Sequence, residues 1–184
     1  AAHKLCRAID RDEMDDAERE KAHAILRVMA ADAAELVRRA LAVTLRDSNI
    51  GPRDVAIRLA KDVETVSLPI LSFSPAFTDD DLSEIIRLGG PVRQVAIAKR
   101  PQLSQKVTHA IVTHGTERCV EVACANDKAD FAETSLQQVI ARFEKSERVL
   151  EAVAYRNALP ISITEKLIDM VSDQVRDHLV SHHA

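Results

Sequence analysis

The chain has no tryptophan, one tyrosine, four phenylalanines and four glycines in 184 residues. Aromatic rings are what stack on bases and sugars, so a 3% aromatic content leaves little for gripping single-stranded nucleic acid. Four glycines are too few for a phosphate-cradling loop, and no G-x-G-x-x-G, P-loop, G-x-S-x-G or H-E-x-x-H is present. Three cysteines, Cys6, Cys119 and Cys124, form an odd set without a C-x-x-C. That set argues against a disulfide framework or zinc knuckle and suits a reducing cytoplasm. No apolar run approaches the roughly 18 residues of a membrane span. A cationic excess is missing as well: 25 Lys and Arg stand against 29 Asp and Glu, for a net charge of -4. Surfaces for nucleic acid or anionic lipid neutralise many phosphates with clustered Lys and Arg, whereas here basic residues come in pairs at most, as at Arg38 and Arg39.

What remains is a chain 46% hydrophobic and 29% charged, with a core to be built from Leu, Ile, Val and Ala; this is the composition of a helix-rich protein. Asp15 and Asp16 can cap a helix from about Ala17 to Ala30, in which Ala22, Ile25, Leu26 and Met29 recur at helical spacing. After Asp32, the residues Ala33, Leu36, Val37, Ala40, Leu41, Thr44 and Leu45 predict a second helix buried along that stripe. It should end near Asp47, before Ser48, Asn49, Gly51 and Pro52. Pro69 inside "VETVSLPILSF" predicts a kinked or divided helix, because it removes one helical hydrogen bond.

From Pro52 two registers recur. "ILSFSP" from Ile70, "AIAKRP" from Ala96, "VACAND" from Val122 and "AVAYRN" from Ala152 each place a small residue (Ser72, Ala98, Cys124, Ala154) before a turn. One helix later, Leu82, Ile85 and Ile86 match Val107, Ala110 and Ile111, then Leu136, Val139 and Ile140, then Leu167, Met170 and Val171. Recurrence every 25 to 31 residues is the signature of stacked helical units. Gly51, Gly89, Gly90 and Gly115 fall where this scheme ends helices, and Thr78 and Ser104 where it begins them.

The expectation is an all-α chain: an α-solenoid of short antiparallel helix pairs, HEAT-like or leucine-rich-variant-like, forming one domain over residues 1–184. Residues 1–50 would supply an N-terminal helical cap and residues 52–184 about four repeats. "LIDMVSDQVRDHLV" would carry the last stripe into one longer helix at the far end. With these segments laid out, the sequence resembles the alphaproteobacterial domain-of-unknown-function family 2336. The resemblance lies in "RRALAVTLRDS", "DVAIRLAKDVETVSLPILSFSP", "TDDDLSEIIR", "QVAIAKRPQLSQKVTHAIV" and "ITEKLIDMVSDQVRDHLVSHH". It implies helical repeats, no established activity and no catalytic residues. It also implies a chain about twice as long, of which these residues would be an N-terminal half or an expressed domain.

The chemistry-bearing residues each have a plainer role. His178, His182 and His183 form H-x-x-x-H-H, with Asp177 as a third potential metal ligand, but exposed histidines at a helix end account for them. His109 and His114 with Cys119 and Cys124 match no zinc spacing, and Cys124 reads as a small core residue. The acidic runs "DRDEMDDAERE" and "TDDDLSE" stand at helix starts, where capping explains them. No catalytic residue, metal or cofactor is therefore assigned. Lys99 and Arg100 recur in the turn as Asn126 and Arg156, predicting a row of polar heads along one edge. With Arg87 and His109 they are the candidate partner-binding residues, and phosphate-bearing or acidic groups are the partners they would suit. The function read from the sequence is a non-catalytic protein-interaction scaffold or regulatory module in the cytoplasm. Its helices would bind a protein partner, a second copy or a missing C-terminal half. A nucleic-acid-binding helical-repeat module is the alternative.

Overall fold

Short acidic and hydroxyl side chains open many of the helices. In the computed structural model, which describes residues 14–48 and 51–183, Asp15 and Glu18 close a reciprocal capping box at the start of α1, Asp16–Ala30. Thr78 and Asp81 do the same for α5, Asp79–Leu88. Ser104 accepts from the Val107 N–H at α7, Gln105–His114; Thr116 from Cys119 at α8, Glu117–Cys124; and Ser146 from Val149 at α10, Glu147–Ala154. The remaining helices are α2 (Glu35–Leu45), α3 (Arg53–Ala60), α4 (Glu64–Phe73), α6 (Pro91–Ala98), α9 (Glu133–Arg142), α11 (Ile161–Ile168) and α12 (Asp173–His183). The described residues contain no strand, only an isolated parallel bridge between Leu103 and Ala129. Cys6, Asn49 and the acidic residues from Asp10 to Glu13 lie outside the described residues, as does the His183 side chain.

A helix of eight to ten residues has room for one buried stripe, and counting from its first residue gives nearly the same stripe each time. Positions three, four, seven and eight are buried in α3 (Val55, Ala56, Leu59, Ala60), α4 (Val66, Ser67, Ile70, Leu71), α8 (Cys119, Val120, Ala123, Cys124), α9 (Ser135, Leu136, Val139, Ile140) and α10 (Val149, Leu150, Val153, Ala154). This is the i, i+1, i+4, i+5 pattern of a 3.6-residue period.

The chain divides into two compact units, residues 1–82 and 83–184. In the first, α1 packs on α2 and α3, and α2 and α3 both pack on α4. In the second, α6, α8, α10 and α12 contact one another in succession as one row, and α7, α9 and α11 as another. Gln94, buried in the second unit, joins its elements: its amide donates to the Ile86 carbonyl at 2.8 Å and its oxygen accepts from the Thr116 N–H at 3.0 Å. Gly115 ends α7 where a Cβ would stand 2.4 Å from the Ile111 carbonyl oxygen, so only glycine fits that approach.

Four details depart from the sequence expectation. In α2 the buried residues are Leu41, Ala42 and Leu45, while Leu36 is 76% exposed. The helix is rolled so that Arg38 reaches Asp62, with Nη2 donating to Oδ1 at 2.9 Å, and also the Asp32 carbonyl at 2.8 Å. The fourth apolar triplet does not exist: α11 stops at Ile168, Met170 is exposed, and a new helix begins at Asp173. Asp169, Ser172 and Asp173 favour a turn there over a continuous helix. α4 runs undivided through Pro69, and its eighth position is the buried Leu71, with Ser72 only half-buried beside it. Gly51 and Gly90 stand just before α3 and α6, at helix starts.

The ion pairs of the first unit make it acid-sensitive. Two Arg53 N–H bonds, at 2.6 and 2.8 Å, hold the Asp81 carboxyl down at about 2. Arg27 and Arg38 likewise lower Asp54 and Asp62. A carboxyl whose folded pKa is depressed stabilises fully above its unfolded value, near 3.9, and that stabilisation is lost as pH falls through the folded pKa. The thermal midpoint of the chain is therefore expected to hold steady above about pH 5 and to fall between about pH 4 and pH 2. Asp81→Asn should lower the neutral-pH midpoint and shallow that fall; an unchanged acid profile would remove Asp81 from the account.

Candidate functional site

α6, α8 and α10 end in Ala98, Cys124 and Ala154, each fully buried. The last carbonyls of any helix lack intrahelical partners and carry the negative end of its dipole, so a cation or amide donor is welcome there. Two residues further on stand Arg100, Asn126 and Arg156. Asn126 Nδ2 donates to the Arg100 carbonyl at 2.8 Å and the Ala98 carbonyl at 3.4 Å. Arg156 repeats the device one turn later, donating from Nη1 to the carbonyls of Cys124 at 2.8 Å and Asn126 at 3.1 Å, and from Nη2 to Ala129 at 2.7 Å. Its guanidinium lies 4.9 Å from the Phe131 ring centroid. On the other row Arg142 of α9 holds the carbonyls of Val112 and Gly115, and Arg176 of α12 reaches across to the Ile168 carbonyl that ends α11.

The six candidate residues therefore do not form one exposed row. Lys99, Arg87 and His109 are exposed, Asn126 is half-buried, and Arg100 and Arg156 are buried. Asn126 and Arg156 turn inward because the carbonyl ends of the preceding helix offer fixed acceptors, which hydrated turn edges do not. Arg87 lies in the last turn of α5 and His109 in the middle of α7, on helices other than those that end in these turns.

Two depressions flank the locked turns. One, of about 430 Å³, is bordered by Lys99, Arg100, Pro101, Val122, Asn126, Asp127 and Lys128. The other, of about 320 Å³, lies between α8 and α10 and is lined by Glu121, Asp127, Arg148, Glu151 and Tyr155, with Cys124, Ala125 and Ala152. Tyr155 is half-exposed, and its ring centroid is 4.6 Å from that of His178, which stacks at 4.2 Å on His182. Sequence reasoning passed over Glu121, Glu151 and Tyr155. The signal was available, since Glu121 and Glu151 are both the fifth residue of their helix.

Among the described residues, the titratable groups raised by the sequence do not assemble into a reactive centre. Burial pushes the Cys119 and Cys124 thiols up to about 12, and the Cys119 thiol lies 3.3 Å from the Gln94 carbonyl oxygen that accepts from it. A nucleophilic cysteine needs the opposite environment. Peptide mapping after native iodoacetamide treatment is expected to find both unmodified and to find both labelled once guanidinium unfolds the chain. Native labelling of either would contradict the packing. His109 and His114 are exposed on α7, whereas both thiols are buried. His182 Nδ1 lies 3.0 Å from the His178 carbonyl and 2.8 Å from Ser181 Oγ, so that nitrogen is engaged locally. Among the described residues no three His, Cys, Asp or Glu side chains group as metal ligands, and no helix is long and apolar enough to cross a membrane.

Comparison with known proteins identifies a family. The sequence model of a family described as an uncharacterised protein conserved in bacteria covers residues 66–184, about two thirds of the chain. The similar-looking segments Arg38–Ser48 and Asp54–Thr65 lie before it. No curated protein and no solved structure matches.

Proposed function

The chain belongs to the bacterial family DUF2336, and from that premise we propose that it is a non-catalytic protein-interaction module, an α-solenoid of short helix pairs. The observation that carries this reading is the pair of rows in residues 83–184, where each helix packs on the next but one with nearly the same positions buried. Stacks of this kind bury a continuous core and leave long outward faces, which serve mainly to hold peptides and other domains. The buried thiols and the arginines committed to carbonyls fit structural duties better than catalysis. A cytoplasmic setting accords with two unpaired cysteines in the core.

A nucleic-acid module is the second reading, and the placement of cations disfavours it: Arg142, Arg156 and Arg176 point their guanidinium groups at backbone carbonyls. Crosslinking pulldown from the native bacterium, paired with a gel shift at low salt on mixed oligonucleotides, separates the two. Recovery of a defined protein without a shift supports the scaffold. Tight oligonucleotide binding with no protein captured would replace it.

A further inference from the structure

We infer that the outward face of α8, α10 and α12 docks a basic segment of a partner protein. This deepens the interaction-module reading and rests on it. The three helices are successive members of one row, so equal positions along them share a face. With positions three and seven buried in each, positions one and five point outward. Those positions are Glu117 and Glu121, Glu147 and Glu151, Asp173 and Asp177: six carboxylates in six places. The same positions of α7, α9 and α11 are Gln105 and His109, Glu133 and Gln137, Ile161 and Glu165, with two. At these positions acid is thus concentrated on one side of the unit.

Helix starts explain only half of it. An acidic first residue complements the helix dipole wherever it occurs, but the effect fades within the first turn, so Glu121, Glu151 and Asp177 are not accounted for. Like charges on packed neighbours repel, and a fold gains nothing from repeating them. Local cations answer the charge only in part: Arg118 pairs with Glu121 at 2.5 Å and Arg176 with Asp173 at 3.2 Å, while among the described residues Glu151 and Asp177 have no ion pair.

The cleft between α8 and α10 gives this charge a shape. Its volume of about 320 Å³ admits an extended lysine or arginine side chain, and Asp127, Glu151 and the Arg118-paired Glu121 outnumber the one arginine, Arg148, that also lines it. The half-exposed Tyr155 ring stands at its wall. A ring face beside carboxylates attracts a guanidinium or ammonium more than either alone. Nucleic acid and anionic lipid are repelled by the same face, which leaves a cationic protein segment as its occupant.

The test uses the 184-residue chain and a fluorescein-labelled ten-residue peptide of alternating arginine and alanine, followed by fluorescence polarisation at several salt concentrations. Binding should weaken steeply with salt. Glu121→Gln, Glu151→Gln and Asp177→Asn together should weaken it about tenfold, whereas Glu84→Gln, Glu144→Gln and Glu165→Gln, which remove equal charge elsewhere, should stay within about twofold. Tyr155→Leu should weaken it about threefold with charge unchanged, and Tyr155→Phe should retain it. Thermal midpoints verify that each variant is folded. Equal losses in both triple variants, or no binding by the parent chain, would overturn the docking face. Failure of the pulldown to recover any protein would instead strike the interaction-module reading itself, whatever the peptide does.

Discussion

Replacing Arg156 by alanine is expected to lower the stability of the chain by about 3 to 5 kcal/mol in urea titrations followed by circular dichroism. The side chain is 9% exposed and donates to three backbone carbonyls, those of Cys124, Asn126 and Ala129. Each charged hydrogen bond contributes roughly 1.5 to 3 kcal/mol net, and alanine would also leave the three acceptors partly dehydrated without a donor. The sum is held below the simple total because water can enter the space the guanidinium leaves. Arg156→Lys should recover a minor part, since an ammonium can reach one or two of the three carbonyls but lacks the planar fork that spans them and the stacking on Phe131. A loss under about 1 kcal/mol for the alanine variant would mean that the turn after α8 holds its shape without Arg156. In that case the arginine would again be available to a partner, as the sequence alone suggested.

How Arg156 was misplaced shows where sequence reading runs out. Its recurrence with Arg100 and Asn126 was visible because repeats leave a linear trace. The acceptors were not visible, because backbone carbonyls carry no sequence signature and the bonds span 27 to 32 residues. Caps were legible for the opposite reason: Asp15, Thr78 and Ser104 act on N–H groups three residues away, and the structure places all three as caps. The triplets beginning at Leu82, Val107 and Leu136 are buried or half-buried as read. The one at Leu167 failed because an apolar residue satisfies a period whether or not a turn interrupts it, and Asp169 to Asp173 do interrupt it. The cleft beside Tyr155 was hidden as well, since it needs the packing of α8 on α10 and not only their stripes.

The face of α2 is the most direct test of that distinction. The stripe read from the sequence, Ala33, Leu36, Val37, Ala40, Leu41, Thr44 and Leu45, spans about half the circumference at roughly 100° per residue, so periodicity alone leaves the buried centre undetermined. In the structure that centre lies roughly a quarter turn away from the middle of the stripe, on Leu41, Ala42 and Leu45. The Arg38 to Asp62 pair and the packing of α2 on α1 and α4 select this side. Leu41 is fully buried and Leu36 is 76% exposed, and the two lie about 140° apart on the helix. Leu41→Ala is therefore expected to cost about 2 to 4 kcal/mol through lost burial and an unfilled cavity. Leu36→Ala should stay within about 0.5 kcal/mol of the parent, because alanine is also the better helix former at an exposed site. Ala42→Leu should cost about 1 to 3 kcal/mol by overpacking a position with no exposed surface. Urea midpoints for the three variants decide the orientation. If Leu36→Ala costs as much as Leu41→Ala, α2 sits on the sequence-predicted face, and Arg38 must then be turned away from Asp62.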